Sequence, residues 1–280
     1  MARTPIWWFE NTPMAELFSY AFMQRALLAG AIIGVTCAVM GVFVIYRRLA
    51  FMGAGIAHAS FGGVALGFWL GINPVLGAIG FCLLVGWSIG ALSLKTAVRE
   101  DTVVGIFFAS TMALGILLIS LVGGFQQELF GYLFGSILSV TREDIWIILV
   151  VGLAVGFFLL AWGKELVFTI FDPQGAAVSG IPTGMIYFLL ITLITLTVVI
   201  SIKVVGIVLV SALLITPAAT ASLLSKRFSV ILLLAALIGL GSTQLGLLLS
   251  YWWNTPSGAT IVLIVTGIFL IAAPFGLIRR

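Results

Sequence analysis

Long runs of about 20 residues almost without charged side chains recur along this chain, and an α-helix needs a run of that length to cross a bilayer. Only 8% of the 280 residues are charged and 62% are hydrophobic, whereas a soluble domain carries about 25% charged residues. The sequence therefore predicts an all-α polytopic membrane protein with a single transmembrane domain over residues 1–280. The predicted helices of its one bundle cover residues 26–46, 54–71, 74–94, 103–122, 143–162, 184–202, 204–225, 228–250 and 257–277.

This count of nine has an alternative of eight, in which one segment is re-entrant and the N-terminus changes sides. The stretch 126–142 is only partly apolar and suits a re-entrant or surface helix. Residues 1–25 are rich in Trp and Phe but lack the apolar core of a signal peptide, which predicts an interfacial segment lying along the bilayer.

The basic residues favour the nine-helix topology, with the N-terminus outside and the C-terminus in the cytoplasm, because cytoplasmic loops carry an excess of Lys and Arg. The formal net charge is +4, but the basic residues flank helices and form no stripe, so no nucleic-acid partner is expected. Nine basic residues fall on the inner side (Arg47, Arg48, Lys95, Arg99, Lys164, Lys226, Arg227, Arg279 and Arg280) and four on the outer side (Arg3, Arg25, Arg142 and Lys203).

The segment 171–182, "FDPQGAAVSGIP", lies in the longest predicted cytoplasmic connection, residues 164–184. Asp172 is a favourable N-cap, Pro173 suits the first helical position, and Gly180 suits the end of a helix. The pattern predicts a short capped helix on the inner face. It is either an ordinary loop helix or a docking element for a cytoplasmic partner.

Carboxylates are missing from the predicted membrane interior, since all nine acidic residues fall at span ends or in loops. An ion-coupled carrier commonly keeps a carboxylate at depth to bind its coupling ion. The chain also lacks H-E-x-x-H, G-x-S-x-G and P-loop motifs, so it is not expected to be an enzyme or to bind ATP itself. Uphill transport by this chain would take its energy from another polypeptide.

His58, the only histidine, is the sole ionisable side chain away from the ends of the predicted spans, apart from the thiols of Cys37 and Cys82. At helical spacing it shares one face with Ala54, Gly62 and Ala65. A lone intramembrane histidine is either a hydrogen-bonded packing residue or a functional group such as a metal ligand. The neighbouring stripe consists of small residues that allow close helix packing: Gly55, Ala59, Gly63 and Gly67.

Pro217 lies inside the predicted span 204–225 and removes a backbone hydrogen bond, so it is expected to bend or break that helix. Ser211, Thr216 and Thr220 can bond the freed carbonyls. Broken helices often line translocation paths, although proline kinks are also common in plain membrane helices.

Five stretches in order resemble the permease subunit of the zinc/manganese ABC importers, the ABC-3 family: "GVFVIYRRLAFMG…IAHASFGGVALG", "REDTVVGIFFASTMALGILLIS", "LFGSILSVTREDI", "FDPQGAAVSGIP" and "VVGIVLVSALLITPAATASLL". The resemblance covers roughly residues 20–280 and implies a fold like that of type II ABC importers. It also implies that His58 lines the translocation path. The coupling helix that docks on the ATPase is implied to comprise Asp172, Pro173, Gln174, Gly175, Ala176, Ala177, Val178, Ser179 and Gly180.

Ala54 departs from the family pattern, in which an aspartate stands four residues before the histidine. Further ligands would then have to come from elsewhere, and the candidates are Cys37, Ser60, Ser211 and Thr216. The loss of a hard oxygen ligand tilts the expected cargo slightly from manganese toward zinc.

The resemblance also implies how the transporter is assembled. It predicts a homodimeric, multi-pass protein of the cytoplasmic (inner) membrane, in contact with lipid and holding no cofactor of its own. A cytoplasmic ATPase dimer would use the ATP, and an extracytoplasmic binding protein would deliver the metal ion. Three alternatives remain: a permease for a metal chelate such as a siderophore or cobalamin, an ion-coupled secondary carrier, and a structural membrane protein.

Overall fold

A computed structural model describes residues 20–122 and 140–278, and within these ranges the chain is helical with no strands. All-α architecture is therefore confirmed. The helices are α1 (Ala21–Tyr46), α2 (Ala50–Leu70), α3 (Pro74–Lys95), α4 (Glu100–Val122), α5 (Arg142–Phe171), α6 (Pro173–Val178), α7 (Thr183–Leu224), α8 (Phe228–Trp253) and α9 (Ser257–Ile278).

Eight of these helices, all except α6, are long and apolar enough to cross a membrane. The difference from the predicted count of nine membrane-spanning helices arises in α7, a 42-residue helix that is interrupted at Gly206. The backbone of Gly206 has φ 80° and ψ 165°, a region that side chains with a Cβ rarely adopt. The two predicted spans 184–202 and 204–225 thus correspond to the two halves of α7, which are separated by a sharp break at Gly206.

Contacts on either side of Gly206 show that the chain reverses direction there. Lys203 pairs with Asp144, near the start of α5, whereas the ring of Phe228 lies 6.2 Å from that of Phe171, at the end of α5. These two ends are about 40 Å apart at about 1.5 Å per residue. The halves of α7 therefore run antiparallel, so the eight long helices of the described residues make nine passes along the bundle.

We call the end of the bundle that holds segment 171–182 the turn end, and the opposite end the far end. The ring of Tyr46, at the end of α1, lies 5.4 Å from that of Phe171, so α1 also finishes at the turn end. Gly276 lies against Leu223 and brings the end of α9 there as well. Residue 20 and residue 278 consequently lie at opposite ends, as nine passes require.

Two helix boundaries differ from the predicted spans. Helix α1 begins at Ala21, so residues 21–25 are helical; residues 1–19 lie outside the described residues, as does most of 126–142. Helix α5 continues to Phe171 instead of ending near residue 162, so Lys164 and Glu165 are part of a helix and not of a loop. Lysine and glutamate are good helix formers, which lets the helix run through them.

Helices α1 and α7 form the centre of the bundle, and α8 packs against α1 through paired glycines. A Cβ on Gly34 would come within 2.8 Å of the Gly239 carbonyl oxygen, and one on Gly239 within 2.4 Å of the Gly34 oxygen. Gly41 meets the backbone of Leu214 in the same way. Since lipid is as apolar as leucine, close backbone approach of this kind is a main source of helix association in membranes.

Candidate translocation site and coupling segment

His58 projects from the middle of α2 toward α4 and is partly exposed. Its Nδ1 lies 2.9 Å from the Ala54 carbonyl oxygen, and its ring centre lies 4.6 Å from that of Phe108. A carbonyl oxygen only accepts hydrogen bonds, so Nδ1–H donates to it and Nε2 is the ring nitrogen left for a ligand. Neutral imidazole in this tautomer is a metal ligand with one free nitrogen.

The face around His58 is open and lined by aromatic and small side chains. Phe51 is 65% exposed and Phe108 is 38% exposed, while Ala54 contributes only a methyl group and its carbonyl. Within residues 20–122 and 140–278, no group of three His, Cys, Asp or Glu side chains stands close enough to hold a metal ion. A site with three such ligands at His58 would therefore need groups from outside the described residues.

The small residues of α2 lie in two tight contacts that fix the helix around His58. A Cβ on Gly63 would come within 2.7 Å of the Ala78 Cα, and one on Gly67 within 2.8 Å of the Pro74 Cα, both on α3. On the other side Gly55 lies against Val104 of α4, and Ala59 is fully buried. The backbone that carries His58 is thus tightly packed, although the imidazole itself is partly exposed.

The other candidate ligands lie away from His58 or bond to their own helices. The Cys37 thiol is buried with Sγ 3.5 Å from the Ser201 hydroxyl, in the contact between α1 and α7. Ser60 donates to the Ala57 carbonyl and Ser211 to that of Ile207. The Thr216 carbonyl accepts a bond from the Thr220 hydroxyl. The structure does not bring these residues together with His58.

Pro217 does not interrupt α7, which remains helical from residue 207 to Leu224. The break that the sequence led us to expect at the proline lies eleven positions earlier, at Gly206. A glycine with positive φ reverses a chain without steric cost, whereas proline keeps a φ that is compatible with a helix. Pro217 is buried near the contact of α7 with α1.

Segment 171–182 forms a capped turn at the turn end. The Asp172 carboxylate accepts a hydrogen bond of 2.8 Å from the Gly175 amide, Pro173 occupies the first helical position of α6, and Gly180 closes the turn at φ 82°. Ala176 is fully buried, whereas Val178 is 90% exposed. The turn therefore presents an apolar tip on a rigid base.

A cavity of about 280 Å³ separates this turn from the body of the bundle. It is lined by Trp162 and Glu165 of α5, by the backbone that follows α6, and by the first turns of α7. One carboxylate oxygen of Glu165 is buried and has no hydrogen-bond partner in the structure. The turn is thus connected to the end of α5 and the start of α7 beside a partly polar space.

Two polar links that the sequence did not suggest tie the ends of the bundle. At the far end, Lys203 pairs with Asp144, whose side chain is 7% exposed and also caps α5 through Thr141. At the turn end, Tyr187 donates a hydrogen bond to Glu100, and the Arg47 guanidinium lies 5.5 Å from the Tyr187 ring centre. Each link joins residues far apart in sequence, so no local pattern signals it.

Comparison with known proteins assigns the family. The model of the ABC 3 transport family matches residues 19–276. The chain is 40% identical over 257 residues to the manganese transport system membrane protein MntC of Halalkalibacterium halodurans, covering 92% of this chain and 88% of that protein. It is 34% identical to the chelated iron transport system membrane protein YfeD of Yersinia pestis, covering 95% of this chain and 89% of that protein.

The same assignment holds in three dimensions. The structure of PsaBC from Streptococcus pneumoniae in complex with Fab matches with a TM-score of 0.83 at 36% identity, covering 92% of this chain and 93% of that one. Sequence, helix order and fold therefore agree, and the chain belongs to the ABC 3 transport family as the membrane-spanning permease of a metal-ion ABC importer.

Proposed function

We propose that this permease imports manganese, with zinc as the second candidate, and that ATP hydrolysed by separate subunits drives it through segment 171–182. The observation that carries the coupling half of the proposal is the capped turn with its exposed apolar tip at Val178. A rigid, protruding turn anchored to two long helices can transmit a push from a partner into the bundle.

The turn end is proposed to face the cytoplasm. Six basic residues of the described chain lie in or beside its connections, against three toward the far end, and cytoplasmic loops are enriched in Lys and Arg. This orientation puts an ATPase within reach of segment 171–182 and leaves the far end to a metal-binding protein outside. The six are Arg47, Arg48, Lys95, Arg99, Lys226 and Arg227, and the three are Arg25, Arg142 and Lys203.

The open face around His58 supports a homodimer with the path at the subunit interface. One free imidazole nitrogen is a weak site, but two copies that meet on this face would offer two nitrogens to one ion. Ala54 supplies no carboxylate, so the ion would keep part of its water shell and leave easily. A weakly binding path suits rapid release, and selectivity would reside in the external binding protein.

Manganese is preferred over zinc because the relative with the higher identity of the two reported above is named a manganese transport protein. This reverses the slight preference for zinc that the missing aspartate suggested. Imidazole serves both metals, so His58 does not decide between them.

The experiment that decides is growth of a strain lacking this permease in chelator-treated medium, with uptake of radioactive manganese and zinc by the same cells. We expect manganese alone to restore growth and the wild-type chain to restore manganese uptake. Rescue by zinc and not manganese would transfer the assignment to zinc.

A permease for chelated iron is the second candidate function, favoured by the similarity to YfeD. A bulky chelate needs a wide cavity, whereas α2 is held against α3 at backbone distances by Gly63 and Gly67. Rescue of the same strain by a ferric chelate, but by neither free divalent metal, would favour this alternative.

A further inference from the structure

A long apolar groove runs down the side of the bundle between α5, α1 and α8, and none of its lining residues lies on α2 or α4, the helices that carry His58 and Phe108. Its volume is about 860 Å³, within the range of about 300–1,000 Å³ that ligand pockets have. Helix α5 forms most of its wall and is the most exposed of the eight long helices. Of its apolar 18-residue stretch 11% is buried, against 22–72% of the corresponding stretches in the other seven. The groove therefore opens sideways, toward the membrane.

Glycines on α5 create the groove. Gly156 and Gly163 lie seven residues apart, about two turns, so both face the same side of the helix. A Cβ on either would meet no atom within 4 Å, so neither glycine is required by packing within the chain. Leu160, between them in sequence, lines the groove and is 89% exposed. A flexible hydrocarbon chain fits beside this exposed side chain more easily than a helix about 10 Å wide.

Charge at the turn end of the groove favours an anion. Lys164 lines the groove and has no hydrogen bond or ion pair within the described residues. Lys226 and Arg227 are exposed directly before Phe228, which also lines the groove. Asp172 follows the lining residue Phe171, but its carboxylate caps α6. Glu165 lines the separate cavity behind the turn.

We propose that this groove is a binding site for an anionic phospholipid of the leaflet at the turn end. One acyl chain lies along the groove between Phe171 and Gly156, and the phosphate is bound by Lys164, whose long side chain reaches up to the headgroup level. Lys226 and Arg227 add positive potential beside it. The site adjoins Phe171, the last residue before segment 171–182, so the lipid contacts the helix that carries that segment.

The test uses the full-length chain in nanodiscs of equal parts phosphatidylglycerol and phosphatidylethanolamine, with the lipids that stay bound after mild detergent extraction identified by native mass spectrometry. We expect phosphatidylglycerol to be retained preferentially by the wild type. Gly163→Phe should abolish the retention. Gly163 lines the groove and a Cβ there meets no atom within 4 Å, so the phenyl ring can occupy the space proposed for the acyl chain. Gly267→Phe, at another open glycine on α9, is the matched control and should retain the lipid.

Lys164→Gln tests the contact with the lipid headgroup separately from the contact with the acyl chain. Retention of phosphatidylglycerol should fall about fivefold and lose its preference over phosphatidylethanolamine, since one lysine near an anionic surface contributes about that factor. The proposal fails if Gly163→Phe binds the same lipids as the wild type. It also fails if that variant changes only the oligomeric state, which would make the groove a contact between protein chains.

Discussion

Segment 171–182 and the His58 face differ in how much of each is complete within one chain. The turn carries its own N-cap, its own terminating glycine and its own exposed tip, all within a dozen residues. The His58 face has a backbone fixed on two sides by glycine contacts, yet His58 belongs to no group of three potential metal ligands among the described residues. The proposed coupling element is specified locally, whereas the proposed metal path would be completed only by assembly of two subunits.

The largest expected effect comes from breaking the scaffold of the His58 face. Gly63→Val would place a side chain where a Cβ already comes within 2.7 Å of the Ala78 Cα, and overpacking of this kind costs about 1–3 kcal/mol or more. We expect most of the protein to lose its monodisperse peak in size-exclusion chromatography and its melting temperature to fall. Gly80→Val, on the same pair of helices but in open space, should behave as the wild type. Equal behaviour of the two variants would show that the α2–α3 contact is looser than described.

A smaller effect is expected from His58→Ala, which removes the proposed metal ligand and leaves the contacts of α2 with α3 and α4 unchanged. Metal uptake should fall about tenfold or more, the equivalent of about 1.4 kcal/mol for one lost ligand contact, while the melting temperature stays within a degree or two. Ser60→Ala is the matched control, because its hydroxyl is buried and bonds only to its own helix. Unchanged uptake by His58→Ala would make His58 a packing residue beside Phe108.

The smallest effect is expected from the cap of the turn. Asp172→Ala removes the acceptor for the Gly175 amide, and loss of an N-cap typically costs about 1 kcal/mol of local helix stability. The affinity of the permease for its ATPase subunit should fall about fivefold, measured by biolayer interferometry on nanodiscs. Asp172→Asn keeps an acceptor at the cap and should restore most of the affinity. If Ala and Asn bind alike, the cap does not prepare the turn for docking.

Local sequence patterns predicted the elements that depend on local chemistry. The apolar runs predicted the membrane helices, because a continuous apolar run of about 20 residues matches the length of a helix that crosses a bilayer with its backbone groups paired internally. The position of the short helix α6 was predicted because its signals are local: Asp172 as N-cap, Pro173 at the first helical position and Gly180 at the end of the turn. The break in α7 was expected at Pro217, since proline is the usual signal, but Gly206 can adopt a backbone conformation that no pattern of neighbours reveals.

The sequence alone determined the fold class and the presence of one imidazole among small residues, and it predicted about nine spans, because hydropathy, charge placement and residue size act along the chain. The tertiary structure decided which partners the side chains of the described residues have: Lys203 with Asp144, Tyr187 with Glu100, and His58 with the Ala54 carbonyl and the Phe108 ring. It also decided that Gly156 and Gly163 face open space while Gly63 meets a backbone. Contacts between distant residues depend on how helices cross, and helix crossing is set by the packing of the whole bundle.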